Sequence, residues 1–124
     1  MNRHYAHEKY PHPKEGEAKP LAYLVRYHYA QAQAWHLAFA DVIDDPGPRL
    51  DVALSQYMGH ARTAFLLDAL AQGMCGQEAA DWASERNHSE SAELVWERAD
   101  FYGVGPDEIK PYKIRPYSTK GDQA

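Results

Sequence analysis

The stripe Leu21, Val25, His28, Ala32, Trp35, Phe39, Val42 repeats at steps of four and three without a slip for three heptads. That spacing predicts one face of a helix held for about six turns. Pro20 suits its start, because a missing N–H is not needed in the first turn. The run Asp44-Asp45-Pro46-Gly47-Pro48 must break it, so the helix should end near residue 43. A second stripe, Leu50, Leu54, Tyr57, Met58, Ala61, Phe65, predicts a helix from about Pro48 to Gln72 with Gly73 as its stop. Leu66, Leu67 and Leu70 widen the apolar arc there, and this end is expected to be the most buried part of the fold. Gly59 in mid-helix costs about 1 kcal/mol against alanine. Close approach of another helix would account for it.

Two shorter helices are expected beyond Gly73, one over 77–86 and one over 88–102. Asn87 and Glu90 between them have capping-box spacing. A single continuous helix is the alternative. Gly103 and Gly105-Pro106 end the helical part. The short linker after residue 43 makes the first two helices antiparallel neighbours. The pattern therefore predicts an all-α, single-domain four-helix bundle over residues 20–103, with an N-terminal arm at 1–19 and an extended basic tail at 104–124. Pro11, Pro13 and Pro20 interrupt any helix in the arm, and Tyr5 and Tyr10 offer rings to dock it. The expected core comprises Leu24, Val25, Trp35, Phe39, Leu54, Met58, Phe65, Leu66, Leu70, Leu94 and Phe101. In the tail, Lys110-Pro111-Tyr112 and Arg115-Pro116-Tyr117 alternate cations with rings. Such a tail can track a nucleic-acid strand or pin itself to the bundle through its aromatics. The second is favoured, because the body is acidic.

Charge changes the picture more than composition does. The net charge of −5 divides into +2 over residues 1–40, −10 over 41–108 and +3 over 109–124. Glu78, Asp81 and Glu85 form one helical line, and Glu90, Glu93, Glu97 and Asp100 form another. Only Arg86 and Arg98 offset them within 77–102. Trp82 and Trp96 lie beside these carboxylates, and an aromatic anchor ringed by charge is what an interface centre presents. Glu78, Asp81, Trp82, Glu85, Glu90, Glu93, Trp96, Glu97 and Asp100 are therefore the candidate partner-binding residues. The partner expected is a protein with a basic surface or groove, drawn in and oriented by charge. Proteins that hold nucleic acid have such grooves. Small acidic proteins that block nucleic-acid-handling machines share this size and charge, among them phage anti-CRISPR proteins, DNA mimics and nuclease immunity proteins. The expected role is thus a non-enzymatic inhibitor or modulator, with the oligomeric state left open.

Other chemistry finds little support. There is no HExxH, no Gly-rich phosphate loop and no nucleophile motif, so no catalysis, cofactor or metal is expected. His4, His7 and His12 crowd the arm without ligand spacing. His28 is expected as a hydrogen-bonded core histidine. Bringing His28, His36 and His60 together defines a metalloprotein alternative. A second alternative is a DNA-binding regulator. The stretch Ala69-Leu70-Ala71-Gln72-Gly73-Met74-Cys75-Gly76-Gln77-Glu78-Ala79-Ala80 resembles the helix-turn-helix entry of resolvase- and transposase-type domains. That resemblance implies a recognition helix over 88–102, where carboxylates stand in place of Arg, Lys, Asn or Gln. The single cysteine, Cys75, has no internal partner, which fits a reducing compartment. With no signal-like or membrane-length apolar run, a cytoplasmic location is expected.

Overall fold

The fold was obtained as a computed structural model that describes residues 3–44, 47–87, 92–105 and 107–114. The chain is all-α. Helix α1 is a single turn, Ala6–Lys9; α2 spans Leu21–Asp41, α3 Pro48–Ala71, α4 Gly76–Arg86 and α5 Ala92–Phe101. Local signals place these ends. Pro20 lies just outside α2, and its carbonyl accepts from the Tyr23 and Leu24 amides. Pro48 opens α3 behind Gly47 at φ 142°, and Gly73 at φ 97° turns the chain out of it. Asn87 closes α4, its amide donating to Ala83 O at 3.0 Å; Glu90, its expected capping partner, lies outside the described residues.

Contacts between side chains fix the helix directions. Tyr29 meets Phe65 while His36 meets Tyr57, so α3 runs antiparallel to α2. Tyr29 meets Tyr102 while His36 meets Trp96, so α5 also runs antiparallel to α2. Helix α4 packs on α3. Helix α2 is the axis of the molecule. Val25, Tyr27, Ala38 and every residue from Tyr29 to Ala34 are buried, which covers all sides of the helix rather than one stripe.

The core corrects the expected list. Val25 and Phe65 are fully buried, and Leu24, Trp35, Phe39, Met58 and Leu94 are partly so. Leu54, Leu66, Leu70 and Phe101 are exposed, Phe101 to 71%. The inward face of α3 is instead Ala53, Tyr57, Ala61, Ala64, Phe65, Asp68 and Ala69. Alanines on both α2 and α3 let the two helices approach closely, and a leucine at those positions would overfill the gap. The large leucines are pushed to the flanks. Gly59 is a second correction: a Cβ there meets nothing within 4 Å, so no helix presses on it.

Both arms join the core. The arm carries the short helix α1, unexpected from its prolines, and the Tyr5 amide donates to Glu8 Oε1 at 2.9 Å at its start. His4 pairs with Ile109 in an isolated parallel bridge, through His4 N–H to Glu108 O at 2.7 Å and Lys110 N–H to His4 O at 2.9 Å. Lys9 and Glu108 form an ion pair at 2.6 Å. Ala6, Val104 and Ile109 are fully buried in the central cluster. Tyr112 lies on Trp35, with ring centroids 4.9 Å apart, and its hydroxyl donates to Gln31 Oε1 at 3.2 Å. Tyr5, His7 and Tyr112 stack with interplanar angles of 6–12°. Arg115 and Tyr117 lie outside the described residues. Among those described, no helix is long and apolar enough to cross a membrane.

Candidate functional site

The acidic face is built first by α4. Ala79 and Ala83 are its buried side. One flank away stands Trp82, half-buried, with its ring edge-on to Phe65 at 6.2 Å. Further round lie Glu78, Asp81 and Glu85, all exposed. Met74 from the α3–α4 turn joins these four residues around a shallow depression of about 360 Å³. Arg86 is turned back onto this surface: its guanidinium sits 4.1 Å from the Trp82 ring, donates to the Trp82 carbonyl at 3.0 Å and comes within 3.6 Å of Glu85. Gln77 donates to Asp81 Oδ1 at 2.7 Å.

The second acidic line belongs to α5, where Glu93, Glu97 and Asp100 are exposed. Glu90 lies outside the described residues. Helix α4 packs on α3 and α5 on α2, so each line is presented by its own helix. Trp96 is half-buried, edge-on to His36 at 5.2 Å, and serves the core edge. Arg98 points inward, leaving carboxylates on the outer side of α5 where a DNA-reading helix needs cations.

Arg98 leads to an arrangement that sequence reasoning missed. Asp68 is completely buried, and its carboxylate accepts from Tyr29 Oη at 2.6 Å, Arg98 Nε at 2.7 Å, Arg98 Nη2 at 2.8 Å, Tyr102 Oη at 2.8 Å and Gln72 Nε2 at 3.1 Å. Burial alone pushes this carboxyl up. The hydrogen bonds from Arg98, Tyr29 and Tyr102, with the guanidinium's charge, outweigh it and hold Asp68 below the usual aspartate value. Tyr102 is pushed up to about 12 by burial and by its bond to the carboxylate. The knot ties α2, α3 and α5 together and presents no open position, so it is a structural fastener. Its signals were an aspartate in phase with Tyr57, Ala61 and Ala64, and a lone arginine in an acidic helix.

The histidines divide. His28 and His60 meet, Nδ1 to Nδ1, at 3.1 Å. His36 goes elsewhere, packing on Tyr57 and Trp96. Burial, aided by His60 and His12, pushes His28 down to about 4, and burial also lowers His60. Among the described residues, no group of three or more His, Cys, Asp or Glu side chains is placed to hold a metal ion. Cys75 is free and exposed at the start of α4. The fold and these surfaces define an all-α protein with a buried polar fastener and an acidic, tryptophan-bearing helix on its outside. No family model, no curated protein and no solved structure matches the chain.

Proposed function

We propose that the protein is a non-enzymatic binding module that docks a partner of basic surface on the outer face of α4. The supporting observation is the depression in which Met74 and Trp82 are bordered by the exposed carboxylates of Glu78, Asp81 and Glu85. Aligned like charges weaken a helix slightly, and among the described residues of the free protein only Gln77 on Asp81 and Arg86 near Glu85 offset that. A basic partner would neutralise them and cover the exposed part of the indole, an arrangement in which aromatic anchors contribute most. The four longer helices act as the bundle that presents this face, and the arms brace it. Glu93, Glu97 and Asp100 offer a second acidic line on α5, beside the half-buried Trp96. Small acidic inhibitors of nucleic-acid-handling machines share this size and charge, and by that analogy the role proposed is a modulator of such a machine in the cytoplasm.

Affinity capture with the tagged full chain tests this, comparing the native protein with a Glu78→Lys/Asp81→Lys/Glu85→Lys variant. The native chain should retain a basic protein that elutes as salt is raised. The variant should lose it while keeping its helical circular dichroism. Retention of the same proteins by both chains would sink the proposal. The runner-up, DNA binding through the α3–α4 turn, requires a salt-sensitive mobility shift of duplex DNA at low salt.

A further inference from the structure

We propose that His28 and His60 form a two-imidazole binding site for a divalent first-row transition ion such as Cu²⁺, Ni²⁺ or Zn²⁺, entered through the cleft beside Gly59. The two rings come from different helices, yet their Nδ1 atoms face each other 3.1 Å apart. Two nitrogens bound to one ion at about 2.0–2.1 Å stand about 2.9 Å apart at a right angle and about 3.4 Å apart at the tetrahedral angle. The pair is already spaced inside that window. With no ion, one Nδ1–H donates to the other ring's Nδ1 lone pair. An ion takes the place of that proton: the donor ring gives up its Nδ1 proton and is protonated at Nε2 instead, and both Nδ1 lone pairs turn to the metal. With centroids 5.3 Å apart the rings meet nearly end to end, so each lone pair must swing about 35–45° off the Nδ1–Nδ1 line to face one ion on the cleft side.

Gly59 is the second observation. A glycine in mid-helix costs about 1 kcal/mol against alanine. Packing does not demand it, since a Cβ there meets nothing within 4 Å. It lines, with His28, Ser55, Gln56, His60 and Thr63, a cleft of about 340 Å³. The missing side chain keeps the approach to the imidazole pair open. Water and the oxygens of Ser55, Gln56 or Thr63 can fill the ion's remaining positions, and imidazole with oxygen donors suits these metals. The Tyr27 ring stands edge-on to both imidazoles, at 4.9 Å from His28 and 6.3 Å from His60, and limits how far they swing.

The test uses the full chain without a histidine tag, titrated with Cu²⁺ and Zn²⁺ by calorimetry and with Cu²⁺ by electron paramagnetic resonance. The native protein should bind one equivalent, with nitrogen hyperfine structure from two imidazoles. His28→Gln and His60→Gln should each weaken binding by about tenfold or more, since losing even an outer-shell partner costs that much. His36→Gln, on the same helix but packed elsewhere, should leave it unchanged. Gly59→Leu keeps both ligands and suits a helix, and should weaken binding by filling the cleft. It also serves if a histidine variant does not fold. Absence of binding to the native chain overturns the proposal. So does a two-nitrogen signal that survives the His28→Gln/His60→Gln double variant, which would place the ion on other histidines.

Discussion

Asp68→Ala should be among the most damaging single substitutions in this protein. The change removes one carboxylate and strands the donors that converge on it from Tyr29, Arg98, Tyr102 and Gln72. Breaking a buried ion pair from one side costs about 3–5 kcal/mol, because the remaining charge is left without compensation. The Arg98 side chain keeps 22% of its surface exposed, so water recovers part of its hydration. That places the loss near the lower bound, at about 3 kcal/mol. A domain of ordinary stability has about 5–15 kcal/mol in all, and the midpoint of thermal unfolding should fall by about 10 °C. Urea unfolding followed by far-ultraviolet circular dichroism measures this directly, with the slope against urea unchanged if the folded state keeps its shape. Adding Arg98→Met removes the stranded charge, so the double variant should recover about 1–2 kcal/mol relative to Asp68→Ala alone. A loss below about 1 kcal/mol, the value of a surface pair, would refute the reasoning. So would a double variant that is simply the sum of the two single ones.

Because Asp68 titrates below its unfolded value, its contribution is present above about pH 4 and is lost as the pH falls through the folded value. An Asp68→Asn variant should lack that acid-sensitive step in a stability-versus-pH series. His28 adds a separate arm: its folded value of about 4 lies below the ordinary 6.5, so protons favour the unfolded chain as the pH drops from 6.5 towards 4. His28→Gln should flatten the stability profile across that interval. Gln33 is 1% exposed and neither of its amide atoms has a hydrogen-bond partner among the described residues, so Gln33→Leu should raise stability by about 1–2 kcal/mol in the same urea assay. Phe101→Ser should change stability by less than about 0.5 kcal/mol, whereas Ile109→Ala, in a segment without regular helix, should cost about 2–5 kcal/mol.

Helix ends were legible because they depend on strong local residues. Pro20, Gly47-Pro48, Gly73 and Gly103 act through local backbone geometry that depends little on tertiary contacts. The interior was less legible, because hydrophobicity ranks leucine above alanine while close helix packing rewards the reverse. Leu54, Leu66 and Leu70 therefore looked like core and lie on flanks, while Ala61, Ala64 and Tyr57 fill the contact with α2. The fastener was hidden for a related reason: Asp68 and Arg98 lie in different helices, and a charged residue reads as surface until its partner is known. The acidic lines on α4 and α5 could be read directly, since exposed carboxylates need no partner to be where they are. The meeting of His28 with His60, and its separation from His36, could not. It depends on the register between α2 and α3, which the stripes constrain only to within a turn.

The burial of α2 on every side has a consequence during synthesis. This helix is complete once Asp41 has been added, yet the groups that shelter it arrive as late as α5 and Tyr112. At ordinary elongation rates of about 5–20 residues per second, the ribosome works for seconds before those groups exist. From the completion of α3 at Ala71 until those groups arrive, an α2–α3 hairpin formed by the nascent chain would have one side bare, showing Trp35 and the alanine-lined flank of its axis. A chaperone that binds exposed apolar surface should engage the chain in that window and release it once α5 and Tyr112 cover the axis.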